Sequence, residues 1–227
     1  MNKTDRFTAF MAESIQAAVK RAGVPAASVA VVCDIESPQR DVTPMLAFDS
    51  FGVAHGRAIP FAIGMKLANP KLKVLVYTED SNLGAMGGSH LANVARRNVD
   101  LTVLCAETTA PAAARRKAWV PPQTMKDVCV AEPFVEAPIS LTRLADACGA
   151  SYVARWTERD AECVTETLAE AFVKPGFSYV EVIESPAGRS EAVGKLVDRQ
   201  APTCLGMMNR HLSKNLGSRY VWWGEKP

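Results

Sequence analysis

The chain has 227 residues, with 26 lysines and arginines against 24 aspartates and glutamates, and 48% of its side chains are hydrophobic. Because charges of both signs are interspersed and the net charge is only +2, the composition favours neither a nucleic-acid partner nor a membrane surface. Apolar runs fall short of the roughly 20 residues that span a bilayer, and residues 1–14 lack the apolar block of a signal peptide. We therefore expect a cytoplasmic chain.

Apolar runs typical of strands alternate with amphipathic helical windows along most of the chain. The predicted strands are residues 28–33, 72–77, 101–105, 151–154 and 178–183, and the predicted helices are residues 9–21, 58–68, 86–96, 141–148 and 159–172. Strands that are apolar on both faces are usually buried between helix layers. The pattern therefore predicts an α/β fold with a mainly parallel sheet and helices on both faces.

Ligands of such sheets bind beyond the carboxyl ends of the strands, here the segments after Cys33, Tyr77 and Cys105. Two long stretches, residues 34–56 and 106–132, fit no regular element. They are interpreted as functional loops or partner-contacting arms because they exceed the usual length of a connection.

The chain is predicted to form a single domain over residues 1–227. Residues 190–227, which end near Trp222 and Trp223, match no recognisable element. We predict a partner-contacting extension there, with packing of the two tryptophans on the chain's own surface as the alternative. The six cysteines include no Cys-x-x-Cys pair, so buried thiols in a reducing compartment are expected.

Several motifs in a fixed order suggest a family. They are HGRAIPFAIGMKLANP at 55–70, MGGSH at 86–90, RRNVD at 96–100, GASYVAR at 149–155 and KPGFS at 174–178. Together they resemble the β subunit of the 2-oxoacid:ferredoxin oxidoreductases, the half of those enzymes that binds thiamine diphosphate. The resemblance covers roughly residues 10–190 and implies the thiamine-diphosphate-binding fold.

The resemblance implies a magnesium ligand at Asp80. The family has Gly-Asp-Gly-Asp after its second strand, and its first aspartate binds the Mg²⁺ that bridges the diphosphate; this chain reads Glu79-Asp80-Ser81-Asn82. A carboxylate suits Mg²⁺, which prefers oxygen ligands. The loss of the glycines leaves an alternative open, in which Asp80 is only an acidic residue at the start of the following helix.

The other half of the implied site follows the strand at 101–105. Glu107-Thr108-Thr109-Ala110 is similar to the Asp-Thr-Glu-Val of pyruvate:ferredoxin oxidoreductases, in which the threonine hydroxyl and a carbonyl two residues later bind the metal. The implied metal ligands are Asp80, Thr108 and Ala110. The implied cofactor-binding residues are Ile35, Ser37, His55, Gly56, Arg57, Asp80, Ser81, Asn82, Thr108 and Ala110.

Two positively charged features are compatible with phosphate or carboxylate binding. His55 and Arg57 open the best-matched motif and carry donors that suit phosphate oxygens. The family's substrate loop is replaced by PAAARRK at 111–117, in which Arg115 and Arg116 are candidates for a substrate carboxylate or a phosphate. For each feature a structural or solvated role remains the alternative.

The family's β subunit usually holds a [4Fe-4S] cluster on four cysteines. In this chain residues 7–10 contain no cysteine, Asp34-Ile35-Glu36-Ser37 stands where the family has Gly-Ile-Gly-Cys, and Ala187 occupies the last position. We therefore expect no cluster of the usual kind in this chain. Electrons would leave through another subunit, or the reaction would be non-oxidative.

The resemblance implies a β-type subunit that binds thiamine diphosphate and Mg²⁺. An α-type subunit with the pyrimidine-binding domain would complete the active site for a small 2-oxoacid, and a ferredoxin-like or other electron-carrier subunit would take the electrons. The alternatives are a non-oxidative decarboxylase or acyl-transferase half, and a cofactor-free structural or regulatory subunit. Asp80 and Thr108 favour cofactor binding, whereas Glu79, Asn82 and the alanine-rich loop favour the cofactor-free subunit.

Overall fold

A computed structural model describes residues 3–35, 41–107, 139–184 and 194–198. In this part of the chain, seven strands form one sheet in the order β2-β1-β3-β4-β6-β5-β7. The strands are β1 (Val29–Asp34), β2 (Asp49–Val53), β3 (Lys73–Glu79), β4 (Leu101–Glu107), β5 (Tyr152–Thr157), β6 (Phe177–Ile183) and β7 (Gly194–Asp198). All neighbouring strands pair in parallel except β7, which is antiparallel to β5.

Helices cover both faces of the sheet. They are α1 (Lys3–Arg21), α2 (Ala58–Ala68), α3 (Asp80–Asn82), α4 (Gly88–Arg97), α5 (Leu141–Ala147) and α6 (Ala161–Val173), and a π-helical segment, Leu83–Gly87, joins α3 to α4. Helices α1 and α6 pack on one face, in the cluster that contains Leu75 and Tyr77. Helices α2, α4 and α5 pack on the other, with Val74 and Val76. The predicted layered α/β fold is confirmed.

The five predicted strands and five predicted helices are present, with ends shifted by a few residues. Two strands were missed. Strand β2 falls in the stretch 34–56, for which the sequence predicts no regular element. It is an edge strand that is largely exposed and contains polar residues and a glycine. It therefore lacks the apolar pattern of a buried strand. Strand β7 falls in the predicted extension 190–227, so part of that segment belongs to the sheet; residues 190–193 and 199–227 lie outside the described residues.

The order of strands reverses between β1 and β3. The chain leaves β1 for β2 on one side and returns to β3 on the other side of β1. At such a reversal the connections diverge beyond the carboxyl ends of the strands, which is where open α/β sheets bind ligands. Asp34 ends β1 and Asp80 follows β3, so both lie at this edge.

Helix α2 is anchored at its carboxyl end by a buried lysine. Lys66 Nζ donates hydrogen bonds to the carbonyls of Pro70 and Leu72, at 2.8 and 2.7 Å, and lies 2.9 Å from Asp100 Oδ2. Three acceptors satisfy the three donors of the ammonium group, and a cation near the end of a helix interacts favourably with its dipole. In the described part of the chain, no helix is long and apolar enough to cross a membrane.

Candidate cofactor site

The loop before α2 makes a tight turn against the segment that follows β3. Arg57 N donates to the carbonyl of Ala54 at 3.0 Å, and Gly56 has φ +68°, a value that favours glycine at the third position of a turn. A Cβ on Gly56 would lie 2.8 Å from Met86 Cβ and 3.1 Å from Gly87 N. Glycine is therefore needed for this backbone to pass so close to the π-helical segment.

The same two segments are joined by a side-chain contact. His55 Nδ1 lies 3.1 Å from Asn82 Oδ1, although the residues are 27 positions apart. Because an amide oxygen only accepts hydrogen bonds, Nδ1 donates to Asn82, and the second ring nitrogen, Nε2, takes no part in this contact. The His55 side chain is exposed while Asn82 is buried, so the contact holds an exposed imidazole against a buried amide.

Asp80 is half-buried and is the first residue of α3. Glu79, directly before it, follows the alternation of β3 and shares the face of Tyr77 and Leu75, whereas Thr78 shares the face of Val76. Glu79, which stands where the family has glycine, therefore has its carboxylate on the opposite face of the sheet from the Thr78 side chain. Strand pairing places Glu79 opposite Ala106, so Asp80 and the end of β4 are neighbours.

Behind Asp80, a buried arginine lies between two glutamates. Arg155 Nε donates to the carboxylate of Glu181, and an Nη of Arg155 is 3.9 Å from Glu107 Oε2. The Tyr179 hydroxyl also donates to Glu181, at 3.1 Å. Burial raises the pKa of Glu181; the Arg155 guanidinium opposes this effect and the carboxylate of Asp80 adds to it. Two glutamates therefore share one guanidinium in this group.

The Cys105 thiol lies in the same region. Burial raises its pKa well above the usual range, and the carboxylates of Glu181 and Asp80 contribute in the same direction. The thiol is therefore protonated and unreactive under ordinary conditions. Of the cysteines in the described ranges, Cys33 and Cys105 are buried and Cys148 and Cys163 are half-buried, all four as free thiols.

The structure brings together part of the predicted site. His55 is in contact with Asn82, Gly56 lies against Met86 and Gly87, and Asp80 and Ser81 belong to the same short helix as Asn82. Ile35 directly follows β1 and lies beside the edge strand, where a Cβ on Gly52 would be 3.9 Å from Ile35 Cγ1. Five predicted residues lie outside the described residues: Ser37, Thr108, Ala110, Arg115 and Arg116.

Sequence reasoning missed the roles of Asp34 and Arg155. Asp34 was noted only as a departure from a glycine, yet its carboxylate accepts hydrogen bonds from Arg57 N, Ala58 N and Thr78 Oγ1. Arg155 ends an apolar strand motif in the sequence GASYVAR. A charged residue at the end of a buried strand was the available signal, because such a charge requires a partner.

The side chains at this edge have the chemistry that a magnesium diphosphate requires. Asp80 and Asn82 supply oxygen atoms suited to a hard cation, and His55 and Arg57 carry nitrogen donors suited to phosphate oxygens. Within the described residues, no three His, Cys, Asp or Glu side chains converge as a complete metal site. Mg²⁺ is commonly held by one or two protein groups together with phosphates and water, so this donor set fits.

Comparisons with known proteins agree with the fold and the motifs. The family model for the C-terminal TPP-binding domain of thiamine pyrophosphate enzymes matches residues 13–182; thiamine pyrophosphate (TPP) is another name for thiamine diphosphate. The 2-oxoglutarate synthase subunit KorB of Methanothermobacter marburgensis is 34% identical over 193 residues, which are 85% of this chain and 62% of that protein. The 2-oxoacid:ferredoxin oxidoreductase 2 subunit beta of Aeropyrum pernix is 33% identical over 177 residues, 75% of this chain and 55% of that protein.

A solved structure shares the fold. It is a 2-oxoglutarate:ferredoxin oxidoreductase from Magnetococcus marinus with 2-oxoglutarate, coenzyme A and succinyl-CoA bound. The TM-score is 0.74 at 18% sequence identity, covering 96% of this chain and 87% of that one. The chain spans less than two thirds of the length of the curated relatives described above.

Proposed function

Because the chain belongs to the thiamine pyrophosphate enzymes through their C-terminal TPP-binding domain, we propose that it is the β-type subunit of a 2-oxoacid oxidoreductase. In this proposal it binds the magnesium diphosphate end of thiamine diphosphate, in the cytoplasm, as part of a hetero-oligomer. The observation that carries the proposal is the contact between residues 54–57, the His55 loop, and the short helix α3 (Asp80–Asn82), the Asp80 turn, at the reversal of strand order between β1 and β3.

Asp80 is the proposed metal ligand contributed by β3, and Thr108 and the carbonyl of Ala110 are those contributed by β4. The parallel pairing of β3 with β4, with Glu79 opposite Ala106, supports this assignment because both sets of ligands follow adjacent strand ends.

His55 and Arg57 are the proposed donors to the diphosphate. The contact of His55 with Asn82 supports this role because it fixes the ring next to the turn that carries Asp80. The remaining proposed contacts with the cofactor are made by Ile35, Ser37, Gly56, Ser81 and Asn82.

When bound, thiamine diphosphate supplies the carbanion that attacks a 2-oxoacid and the electron sink for its decarboxylation. This chain's residues hold and orient the charged end of the cofactor, and Arg115 and Arg116 are proposed to bind the substrate carboxylate. An α-type subunit with the pyrimidine-binding domain completes the site. A ferredoxin-like or other electron-carrier subunit is proposed to take the electrons, because this chain has no cysteine at the positions of the family's cluster.

Two other functions each have a specific observation in their favour. The same lack of cysteines favours a non-oxidative decarboxylase or acyl-transferase half, which needs no electron carrier. The replacement of glycine by Glu79 and Ser81 favours a cofactor-free structural or regulatory subunit, because glycine permits the closest approach of backbone amides to phosphate.

The test is the thiamine diphosphate, magnesium and iron content of the complex purified from its native source, beside the same complex with Asp80→Ala. Asp49→Ala is the matched control, since Asp49 is exposed at the start of β2. We expect stoichiometric cofactor in the wild type and the control and its loss in Asp80→Ala, with unchanged subunit assembly. No cofactor in an assembled wild-type complex would establish the cofactor-free alternative. Bound cofactor without iron in any subunit would favour the non-oxidative one.

A further inference from the structure

A single buried carboxylate connects the two halves of the candidate site. Asp34 Oδ1 accepts hydrogen bonds from the backbone N–H groups of Arg57, at 3.1 Å, and Ala58, at 3.2 Å. Its other oxygen, Oδ2, accepts from Thr78 Oγ1 at 2.5 Å. Asp34 is only 2% exposed. A carboxylate this deep in the fold is stabilised by such donors.

These three donors belong to the two segments that carry the candidate ligands. Arg57 and Ala58 directly follow His55 and Gly56 and begin α2. Thr78 precedes Asp80 by two residues at the end of β3. Asp34 therefore ties the His55 loop and the Asp80 turn to the end of β1, over sequence separations of 23 to 44 residues.

Helix α2 depends on Asp34 for its amino-terminal cap. The residue at the cap position, Arg57, makes no capping hydrogen bond with its own side chain. The carboxylate of Asp34, at the end of β1, accepts the hydrogen bonds of the first backbone N–H groups instead. Its negative charge also interacts favourably with the positive end of the helix dipole. With Lys66 at the opposite end, α2 is held in place at both termini.

We propose that Asp34 is a positioning residue, which sets the orientation of His55 relative to Asp80 and thereby the affinity for the diphosphate end of the cofactor. This inference rests on the proposed function for the ligand and on the contacts above for the positioning. Asp34 occupies a position at which the family resembled by the sequence has glycine. The chain also has Ser81 and Asn82 in place of the family's second glycine and second aspartate.

The test uses the full chain labelled with ¹⁵N in histidine, and long-range ¹H–¹⁵N NMR that reports which ring nitrogen carries the proton. The sequence contains only three histidines, His55, His90 and His211, so His55→Gln assigns the signal and the other two are internal references. Thiamine diphosphate binding is titrated on the same samples with Mg²⁺ present. The variants are Asp34→Ala, Asp34→Asn and Thr78→Val.

Asp41→Ala is the matched control. Asp41 also accepts two hydrogen bonds, from the backbone N–H and the hydroxyl of Thr43, at 2.9 and 2.7 Å. Its loss removes a bonded carboxylate without touching the His55 loop. A change that follows only from general destabilisation would appear in Asp41→Ala as well as in Asp34→Ala.

In the wild type we expect Nδ1 of His55 to carry a proton that it donates to Asn82. Asp34→Ala should abolish this Nδ1 signature and weaken cofactor binding by about tenfold or more, while His90 and His211 are unchanged. Asp34→Asn should restore most of the affinity because its amide oxygen still accepts from the α2 amides. Thr78→Val should produce a smaller loss than Asp34→Ala. If Asp34→Ala does not fold, the His55 signal and the cofactor affinity of Asp34→Asn are compared with those of Thr78→Val, and this comparison decides whether Asp34 positions His55.

An unchanged His55 signal in Asp34→Ala would overturn the positioning role, and so would a changed signal with unchanged affinity. Equal effects of Asp41→Ala and Asp34→Ala would also overturn it. If the wild-type chain and its complex bind no thiamine diphosphate, the proposed function fails. The His55 signal would then still decide whether Asp34 orients the ring.

Discussion

His55 and Asn82 meet across two separate connections of the sheet, with Nδ1 of the imidazole 3.1 Å from the amide oxygen. His55 follows β2 and Asn82 follows β3. Because β2 and β3 both pair in parallel with β1, their carboxyl ends lie at the same edge of the sheet, and this makes the contact possible. It connects the candidate phosphate donor with the turn that contains the candidate metal ligand.

We expect His55→Gln to weaken thiamine diphosphate binding by about tenfold, the usual effect of removing a hydrogen bond to a charged group. His90→Gln is the control, since His90 is half-buried on α4 and makes no contact with the His55 loop among the hydrogen bonds described. Calorimetric titration measures both. Adding Asn82→Ala to His55→Gln should cause less further loss than Asn82→Ala alone, because the two residues act through one contact; strictly additive losses would contradict the link.

Gly56→Ala should lower the free energy of unfolding by about 1–3 kcal/mol, since the residue has φ +68° and its new Cβ would be 2.8 Å from Met86 Cβ. The matched control is Gly64→Ala in α2, where no atom lies within 4 Å of the added Cβ. That substitution should stabilise the chain by about 0.5–1 kcal/mol because alanine favours the helix. Urea denaturation distinguishes them, and equal effects would show that the close approach at Gly56 is unimportant.

Lys66→Met should lower the free energy of unfolding by about 2–4 kcal/mol. The substitution leaves the carbonyls of Pro70 and Leu72 without their buried donor and removes the partner of Asp100. Lys71→Met, at an exposed position, should change stability by less than about 0.5 kcal/mol. Urea midpoints provide the comparison. A loss no larger than that of Lys71→Met would mean that the anchor of α2 contributes little.

Glu181→Gln should alter the dependence of stability on pH. Burial raises the pKa of Glu181 in the folded state above its ordinary value of 4.5, so the folded chain binds this proton more tightly than the unfolded chain does. The stabilisation from that proton is fully present below about pH 4.5 and is lost as the pH rises through the raised pKa. Glutamine does not titrate, so the Glu181→Gln variant does not lose this stabilisation as the pH rises.

The measurement is the difference in free energy of unfolding between wild type and Glu181→Gln on both sides of pH 4.5, the ordinary pKa of a glutamate. Relative to the wild type, the variant should improve as the pH rises above that value. Glu170→Gln is the contrasting case. Burial raises the pKa of Glu170, but its hydrogen bonds with Lys195 and Tyr152 and the charge of Lys195 together lower it below 4.5, so that variant should become relatively worse as the pH rises toward 4.5. The same direction in both variants would contradict the assignment.

Much of the fold could be predicted from local patterns. Strands of buried valines and helices with one apolar face follow from side-chain periodicity, and the helix Ala58–Ala68 was predicted with its observed bounds. The edge strand Asp49–Val53 could not be, because its pairing depends on β1 and not on any apolar pattern of its own. The same holds for Gly194–Asp198, which is a strand because β5 offers it an edge.

The sequence by itself determined the layered α/β fold, and it predicted the edge of the sheet for a ligand and a role there for the segments that contain His55 and Asp80. Only the tertiary structure decided that Arg155 pairs with Glu181 and that Asp34 joins α2 to β3. The physical reason is distance along the chain. Periodicity reports which face of its own element a residue occupies, whereas a buried charge is matched by partners that only the packing of separate strands brings within hydrogen-bonding distance.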